Sequence, residues 1–481
     1  MNFRLIIQSI NRIIGLLAIA MIPPLILSYT FHEKIHFHFI IPILILTVIS
    51  LLSFFFKQDF KELKFKEALV IVCGAWVCSS IFGALPFVLD QILPSLSDAF
   101  FESISGFTAT GSTVLTDIEV VPKSLLFWRS ETHWLGGMGI VVLGIVLFPS
   151  LKGKSELFSS ESPVSVSDDK LFPRIASVAK SYWRIYVLFT LIEVVLLLPV
   201  MSWFDAITHS FATIAGGGFS TRNASISYFN SLYVEVVVMI FMIAGATSFI
   251  LHYHALRGRI RYLRNSSFKI FLTVLFSSSI LIALNLFLIN QEGISFLSYF
   301  RQSIFQVVSV ITTTGFATAD FKYWPDFSIY LLILLMFVGG MSASTSGSIK
   351  VWRYEIIIKE MRIRLHNILH RRAILFSSQD GKKIDPGKVL KVQTFVVAYI
   401  FAFGLSGLLL VWMGFGSSTS FTAVAATLGN VGPGIGSVGP FDNFSHFSDP
   451  AKWLLSFDML LGRLEIWTVL SLFVPEFWSA F

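Results

Sequence analysis

The chain has 481 residues, of which 54% are hydrophobic and only 14% are charged, and its mean hydropathy is +0.75. In soluble domains about a quarter of the residues are charged, so this composition excludes a soluble globular protein and makes the lipid bilayer the solvent. Cys73 and Cys78 share one apolar run, and we interpret them as buried filler rather than as a disulfide framework or a zinc site. Basic residues interleaved with aromatics are not found, so no nucleic-acid partner is expected.

The first apolar run, near 5–30, begins with basic residues as a signal peptide does. It lacks a small-residue cleavage site and further spans follow, which predicts a retained helix. A short run, 327–338, stops at the segment GGMSASTSGSIK and predicts a broken span. Runs of roughly 20 residues, long enough to cross a bilayer, lie near 37–56, 68–90, 131–149, 182–203, 231–251, 268–289, 392–414 and 452–474. With the broken span included, the sequence predicts ten crossings and both termini on one side.

The distribution of charge predicts which side that is. The loops 251–269 and 350–391 are strongly basic, and the segments on the opposite face are mostly acidic. The positive-inside rule places the basic loops and both termini in the cytoplasm. The acidic face then points outward, where it attracts cations. The segment 150–181 is expected to be a cytoplasmic connector.

A coarse repeat follows the first two spans. A span, a short apolar segment, a polar Thr/Gly stretch and a second span occur four times, and the glycines Gly111, Gly218, Gly315 and Gly432 recur about every hundred residues. The short segments suit half-helices that enter the membrane and return. The pattern predicts an all-α polytopic membrane protein with four tandem M-P-M repeats (span, pore half-helix, span) around a pseudo-fourfold pore axis. The expected units are 1–60 (two additional N-terminal helices), 61–150, 151–256, 257–376 (with a broken second span) and 377–481.

The Thr/Gly stretches, of which FTATGSTVL at 107–115 is the first, are predicted to line a pore. Non-helical backbone at membrane depth is tolerated only inside protein or along a water-filled path. A half-helix entering from outside points its partially negative C-terminal end at the membrane centre. Glycine lets successive carbonyls face one way, and a ring of carbonyls can replace the hydration shell of a cation. The alternative, that the glycines are turns or packing contacts, does not explain four matching positions.

Six motifs in the same order resemble the Trk/Ktr superfamily of potassium uptake proteins: SISGFTATGSTVL, HWLGGMGIVVLGIVLFPSL, GGGFSTRN, TTTGFATADF, LGNVGPGIGSVGP and MLLGRLEIWTVLSLFVPEFW. The two extra N-terminal spans resemble the TrkH/TrkG branch. The resemblance implies a potassium-selective pore in the bacterial plasma (inner) membrane, with potassium as the transported ion and no organic cofactor in this chain. It also implies a homodimer and a cytoplasmic ring of nucleotide-binding TrkA-type regulatory subunits.

By the same resemblance, the potassium-coordinating carbonyls fall at four pairs of residues: Thr110–Gly111, Gly217–Gly218, Thr314–Gly315 and Val431–Gly432. Because the residues before the glycines differ, we expect weaker discrimination between potassium and sodium than four identical strands would provide. The segment 339–350 resembles an intramembrane gating loop, although a simple kink at Gly and Ser residues is an alternative. The loop residues concerned are Gly339, Gly340, Ser342, Ser344, Thr345, Ser346, Gly347 and Lys350.

Arg463 lies midway along the last apolar run, where a charge is costly and functional by default. The resemblance implies an electrostatic barrier below the filter, and a structural ion pair with Asp458 or Glu465 is the alternative. Arg129 and Glu131, at the start of another span, are interpreted as interfacial residues. His133 and His209 are isolated and interpreted as packed or interfacial, and GIGSVG at 434–439 lacks the βαβ context of a dinucleotide site.

These features favour a channel-like potassium-translocating subunit that is gated by a cytoplasmic regulator; proton or sodium coupling stays open. A sodium-coupled or weakly selective cation carrier is the first alternative. A polytopic membrane enzyme that uses the histidines or Glu131, and a non-conducting scaffold, are alternatives from other classes. The HExxH, G-x-S-x-G and Walker sequences are not found, so an enzyme is not expected.

Overall fold

A computed structural model describes residues 1–33, 36–53, 64–139, 175–289, 294–370, 378–379 and 382–479. The predicted connector 150–181 lies outside these residues up to position 174. The described chain is helical apart from two pairs of two-residue strands, which confirms the predicted all-α class. Short 3₁₀ turns follow the polar stretches at Ser225–Phe229, Phe321–Tyr323 and Gly436–Val438, and others lie at Tyr262–Arg264 and Ser471–Phe473.

The helices before the first repeat are α1 (Phe3–Ala20), α2 (Ile22–Thr30) and α3 (Phe37–Leu52). Asn2 caps α1, because its side chain accepts a hydrogen bond from the N–H of Leu5. Gly15 of α1 lies so close to Ser50 of α3 that a methyl group at position 15 would overlap the serine hydroxyl. This close approach packs α1 and α3 against each other.

Each later unit contains a long helix, a short helix and a helix that follows the polar stretch. The first unit has α4 (Phe65–Leu89), α5 (Leu96–Phe107) and α6 (Lys123–Gly137); the second has α7 (Ile175–Leu197), α8 (Trp203–Ala215), α9 (Leu232–Ala246) and α10 (Phe249–Leu256). The third has α11 (Ser266–Ile289), α12 (Phe296–Ile311), α13 (Asp326–Met336), β1 (Val338–Gly339), β2 (Ile349–Lys350) and α14 (Val351–Leu369). After β3 (Ser378–Gln379) and β4 (Lys382–Lys383), the fourth has α15 (Pro386–Trp412), α16 (Ser417–Leu428), α17 (Asp449–Leu464), α18 (Ile466–Leu470) and α19 (Pro475–Trp478).

The short helices α5, α8, α12 and α16 are buried among the longer ones. They contain 12, 13, 16 and 12 residues, so each is about 18–24 Å long, less than the roughly 30 Å of a hydrocarbon core. In α5 the buried residues run from Ala99 to Phe107 without a gap. We call these four helices the pore helices. They do not cross a bilayer, as the sequence predicted.

In the described part of the chain, four helical segments are long and apolar enough to cross a membrane: Phe3–Thr30, Phe65–Leu89, Ser266–Ile289 and Pro386–Trp412. The pair α9 and α10 would make a fifth, although its two parts are bent by 103°. The helices α3 and α13 are apolar but shorter. The ten predicted crossings therefore remain a prediction, because several of the predicted spans are short or interrupted.

The helices that follow the polar stretches are short or interrupted. Helix α6 ends at Gly137 after 15 residues, α9 bends into α10, and α13 ends at Met336 before the 339–350 loop. In the fourth unit α17 ends at Leu464, and the next residue, Glu465, has a φ of 64°. The sequence predicted a break in the third unit, and the structure contains one in the second and fourth units as well.

The packing of α6 against the pore helix α5 requires glycine at position 136. A methyl group there would overlap the backbone carbonyl of Phe107, the last residue of α5. We expect Gly136→Ala to lower the melting temperature by several degrees, because overpacking of this kind costs about 1–3 kcal/mol. Thermal unfolding of the detergent-purified chain measures the change.

Gly404→Ala is the matched control for this prediction. Gly404 lies in α15 with open space around it, and alanine is favoured over glycine in a helix by about 0.5–1 kcal/mol. The melting temperature of the control should stay the same or rise. Equal melting temperatures for the two variants would contradict the proposed close packing.

Candidate ion-conducting site

The backbone after each pore helix follows the same course in all four units. Two residues with positive φ, separated by one residue, occur at Ala109 and Gly111, Gly216 and Gly218, Thr313 and Gly315, and Asn430 and Gly432. The second member is always glycine, with φ between 75° and 102°. Ala109, Thr313 and Asn430 occupy the first position with φ of 50–57°, where L-residues are tolerated, whereas the larger φ of the second position favours glycine. The fourfold repeat predicted from spacing alone is thus present in the backbone angles.

Each pore helix ends in the same pattern of hydrogen bonds. The N–H groups of Thr110, Gly217, Thr314 and Val431 each donate to the carbonyl five residues earlier, at 2.8–2.9 Å. The N–H of the residue before each of these donates to the carbonyl three residues earlier, at 2.9–3.1 Å. This is a Schellman-type end, in which a left-handed residue returns two N–H groups to the helix. The negative end of each helix dipole consequently lies next to the polar stretch.

The four glycines form a closed ring, each against the carbonyl of the next unit. A methyl group on Gly111 would overlap the carbonyl oxygen of Gly217, and one on Gly218 would overlap that of Thr314. A methyl group on Gly315 would overlap the carbonyl oxygen of Val431, and one on Gly432 would approach that of Thr110 to 2.8 Å. The eight predicted filter residues are therefore brought together, in the order of the four units and back to the first.

One cavity opens onto this ring and is lined by all four glycines at once. Its wall also contains Ser112, Thr113, Arg222 and Asp442. The loops around it are tied together, because Lys322 donates to Asp442 at 3.1 Å and the side chain of Asn223 donates to Asp117 at 2.7 Å. The hydrogen bond that Lys322 donates to the Asp442 carboxylate raises the pKa of Lys322, which favours the charged form of this lysine. The ring thus lies at the floor of a polar entrance.

The side chains that support the ring differ between alternate units. In the first and third units two threonine hydroxyls lie together, with Thr108 and Thr110 at 2.7 Å and Thr312 and Thr314 at 2.8 Å. The corresponding residues are Ala215 and Gly217 in the second unit and Gly429 and Val431 in the fourth, which carry no hydroxyl. The four walls thus differ, as the sequence predicted, and the difference alternates around the ring. The two strands with paired threonine hydroxyls lie on opposite sides of it.

The 339–350 loop lies directly beneath the ring. Its ends form a parallel pair, β1 with β2, so the segment leaves and re-enters the third unit at one place. The N–H of Gly347 donates to the hydroxyl of Thr313 at 2.7 Å. The hydroxyl of Thr345 lies 3.0 Å from the carbonyl oxygens of both Ile214 and Gly245, in the second unit. The ammonium group of Lys350 contacts the carbonyl oxygen of Ser346 and so closes the loop on itself.

Arg463 joins this loop to the first unit. Its guanidinium donates to the carbonyl of Thr345 at 2.6 Å and to those of Gly136 and Gly137 at 2.7 and 3.0 Å. The alternative partners have other contacts, since Asp458 accepts from Ser406 and Glu465 binds Arg353. An arginine can bind several carbonyls because it carries five N–H donors. The freed carbonyls at the end of α6 therefore stabilise the partly buried charge.

A second cavity lies on the side of the loop that faces away from the ring. Its lining includes Ser344, Ser346 and Lys350 of the loop, together with Arg463 and Trp76. The loop and Arg463 thus separate the ring from this cavity. The structure brings the predicted filter, the predicted gating loop and the predicted barrier residue into one column.

The interpretation of Arg129 and Glu131 as interfacial is wrong. Both side chains are buried, and Arg129 forms an ion pair with Glu102, Nε to Oε1, at 2.6 Å. Glu102 belongs to the segments that the charge distribution assigned to the acidic outer face. A polar residue nine positions before the glycine in three of the four units was the available signal, at Glu102, His209 and Gln306.

The interpretation of His133 and His209 as packed residues is confirmed. His133 is buried and stacks on Phe219 with ring centroids 4.0 Å apart. His209 is also buried, and its two ring nitrogens lie within hydrogen-bonding distance of the Asp205 carbonyl and the Ser220 hydroxyl. Among the described residues, no group of three or more His, Cys, Asp or Glu side chains could hold a metal ion.

Four half-helices whose carbonyl ends meet in a ring between two cavities define a pore-forming, multi-pass membrane protein. The family of cation transport proteins called TrkH matches residues 34–480, so the chain belongs to this family.

Individual relatives match along almost the whole chain. The chain is 39% identical to the Trk system potassium uptake protein TrkH of Escherichia coli (strain K12), over 99% of this chain and 100% of that protein. It is 33% identical to TrkG of the same strain, over 100% and 99% of the two chains. The crystal structure of the potassium transporter TrkH from Vibrio parahaemolyticus superposes with a TM-score of 0.90 at 35% identity and covers all of both chains. Fold and family therefore agree over the full length.

The ring predicts a specific effect of a methyl group at Gly315. Gly315→Ala would place the methyl against the carbonyl of Val431 and the ring of Pro433, which moves the carbonyls away from a bound cation. We expect the variant to lose the rise in melting temperature that potassium causes in the unmodified chain, because an ion that binds only the folded state stabilises it. Thermal unfolding with and without potassium chloride measures this.

Gly414→Ala separates the steric effect from backbone strain. Gly414 also has a positive φ, 96°, but has open space around it. Alanine should cost about 1–2 kcal/mol at either position through strain alone, so the control should melt lower and keep its response to potassium. A potassium response that survives in Gly315→Ala would contradict the role of the ring.

Proposed function

We propose that the chain takes up potassium across the bacterial plasma membrane as the channel-like translocating subunit of a Trk-type system. The observation that carries the proposal is the closed ring, in which the glycine of each unit contacts the carbonyl of the next. Such a ring offers oxygen atoms in place of water, at the negative ends of four helix dipoles. The names of the relatives, potassium uptake proteins of Trk systems, support potassium as the transported ion.

In this proposal the ring is the filter. Potassium binds the backbone carbonyls of the four pairs Thr110–Gly111, Gly217–Gly218, Thr314–Gly315 and Val431–Gly432. The ion is the transported substrate, and we propose no organic cofactor for this chain. The polar cavity above the ring supplies ions, and the structural alternation of the walls is consistent with modest discrimination against sodium.

The 339–350 loop is the gate, and Arg463 is the barrier beneath the filter. A positive charge there repels a cation that leaves the filter, and the hydrogen bonds of Arg463 hold the loop across the path. Movement of the loop toward the inner cavity would break those bonds and open the path. The loop therefore blocks the ion path, and the hydrogen bonds of Arg463 hold the loop in that position.

We further propose the setting of the protein in the cell. The relatives belong by name to a multi-component system, which supports TrkA-type nucleotide-binding subunits as cytoplasmic partners, and a homodimer as the form of this chain. The positive-inside rule supports cytoplasmic termini in the inner membrane. A transporter without enzymatic activity is the simplest reading, since the named relatives are transporters and both histidines are packed.

A weakly selective or sodium-coupled carrier is the second candidate, and the unequal walls favour it. Two of the four strands lack the pair of threonine hydroxyls, which leaves them less constrained. Ion competition distinguishes this candidate from a potassium-selective channel.

Rubidium uptake into proteoliposomes tests the proposed function directly. The chain, reconstituted with and without its cytoplasmic partner, should take up rubidium at a rate that potassium suppresses and an equal concentration of sodium does not. Gly315→Asp should abolish uptake, because a carboxylate side chain cannot fit against the neighbouring carbonyl. Equal suppression by sodium would favour the carrier, and uptake by Gly315→Asp would contradict a filter at the ring.

If the 339–350 loop is the gate, weakening its contacts should increase the flux of ions. Thr345→Val keeps the shape of the side chain but removes the hydroxyl that binds the carbonyls of Ile214 and Gly245. The Gly245 carbonyl keeps the backbone N–H of residue 345 as a donor, whereas the Ile214 carbonyl loses its hydroxyl partner. Leaving one buried carbonyl unpaired costs about 1–3 kcal/mol in the closed arrangement, so initial rubidium uptake should rise roughly fivefold or more. Thr394→Val makes the same replacement in α15, where the hydroxyl contacts only the carbonyls of its own helix; it is the control and should keep the basal rate. Unchanged or slower uptake in a folded Thr345→Val protein would refute the gate.

A further inference from the structure

Each filter strand is held from behind by one side chain of its own pore helix. We call the residues after each filter glycine the outer strand of that unit. Glu102, His209 and Gln306 each lie nine positions before the glycine of their unit, and in the fourth unit Thr422 lies ten positions before it. All four side chains are less than 5% exposed. They therefore lie inside the protein, behind the ring.

Each of these side chains contacts the outer strand of its own unit. Glu102 accepts hydrogen bonds from the hydroxyl of Thr113 and the N–H of Val114, each at 2.9 Å. The Nε2 atom of His209 lies 2.9 Å from the hydroxyl of Ser220.

In the third and fourth units an amide and a hydroxyl contact the outer strand. The amide of Gln306, with its oxygen turned toward the strand, accepts from the N–H groups of Thr318 and Ala319 at 2.8 and 3.1 Å. The hydroxyl of Thr422 exchanges hydrogen bonds with the backbone of Ile435 at 3.0 and 3.1 Å. The supporting side chains occupy similar positions in all four units, but they are chemically different.

The support in the first unit extends to the second. Arg129 pairs with Glu102 and donates through Nη1 to the carbonyl of Ser220 at 3.0 Å. Its guanidinium carbon lies 3.5 Å from the centre of the Phe219 ring, within cation–π range. Ser220 is also the residue that His209 contacts. A continuous buried network thus connects the outer strands of the first and second units.

The second unit has the greatest need of such a connection. Its residues before the filter glycine are Ala215, Gly216 and Gly217, which offer no hydroxyl clasp. The first and third units have paired threonines, and in the fourth unit the side-chain amide of Asn430 donates to the hydroxyl of Thr110 at 2.9 Å. Arg129, which lies in α6, therefore supplies a side-chain contact to the strand of the second unit, whose own residues before the glycine offer no hydroxyl.

A buried ion pair is weak evidence for a role in stability alone. Removing two charges from water is costly, and an apolar replacement of similar size is often equally stable. Charge-assisted hydrogen bonds are nevertheless short and directional, so they hold the groups that they join in one geometry. In a ring of carbonyls, that geometry determines which ion replaces its water best.

We propose that Glu102 and Arg129 are specificity-determining positioning residues, which hold the outer strands of the first and second units at the spacing that favours potassium over sodium. They do not touch the ion, and they act through Thr113, Val114 and Ser220. The inference rests on the proposed function, because it assumes that the ring is the filter.

Two variants test the pair. The double variant Glu102→Gln/Arg129→Gln removes both charges together, which avoids leaving one buried charge unpaired. Thr113→Val keeps the ion pair intact and removes only the hydroxyl that binds Glu102. The ratio of the sodium and potassium concentrations that half-suppress rubidium uptake should fall roughly fivefold in the double variant and about twofold in Thr113→Val. The potassium-specific rise in melting temperature of the purified full chain should shrink in the same order.

Glu235→Gln is the matched control. Glu235 forms a bidentate ion pair with Arg301, at 2.7 and 2.8 Å, between α9 and α12, and this pair does not contact the filter strands. The control variant should lose thermal stability and keep the selectivity ratio of the unmodified chain. A purely structural role for Glu102 and Arg129 would give the same result as the control.

The outcomes separate the inference from the proposed function. Unmodified selectivity in both test variants, or a changed ratio in Glu235→Gln, would overturn the inference and leave the function standing. If the double variant does not fold, the ratio in Thr113→Val decides, and an unchanged ratio overturns the inference. Absence of potassium-suppressed rubidium uptake by the unmodified chain with its partner would overturn both.

Discussion

The structure depends on how the backbone polar groups at the ends of the four pore helices find hydrogen-bond partners at membrane depth, where water is absent. Backbone N–H and C=O groups there must find partners within the protein. Each pore helix solves this with one left-handed residue that returns two N–H groups to the helix, and the chain then continues through a glycine whose φ is also positive. The same turn that satisfies the N–H groups leaves the helix dipole directed at the ring. The helix caps and the proposed ion site thus share one arrangement of the backbone.

The broken helices below the ring follow from a related constraint. A helix that stops inside the membrane exposes carbonyls that would otherwise be unpaired. Arg463 donates to two of them at the end of α6 and to one in the loop, and Thr345 contacts another at the end of α9. A partly buried arginine and a non-helical loop would each be costly alone at membrane depth. Together they satisfy each other, and in the proposed mechanism this arrangement is the closed gate.

The pseudo-fourfold symmetry is one of backbone rather than of side chains. Every unit repeats the same pattern of two positive φ values and the same helix-end hydrogen bonds, because a ring of carbonyls requires equivalent strands. The groups that hold the strands are a carboxylate, an imidazole, an amide and a hydroxyl, from Glu102, His209, Gln306 and Thr422. Units within one chain can diverge in this way because each position is encoded separately. The unequal supports provide a physical basis for unequal stiffness around the filter.

Much of the fold and of the filter could be predicted from the sequence. Hydropathy, the spacing of Gly111, Gly218, Gly315 and Gly432, and the shortness of the segments before them are local properties, and local backbone rules convert them into half-helices and turns. Other features depend on contacts between distant residues. The Glu102–Arg129 pair joins residues 27 apart in the chain, and Arg463 contacts carbonyls 118 and 327 positions away. Arg129 near the start of a span is typical of an interfacial residue, and only the packing of α6 behind the ring makes it a buried one. Sequence periodicity indicates where a chain turns and which residues it buries. The group that a buried charge pairs with depends instead on how all four units pack together.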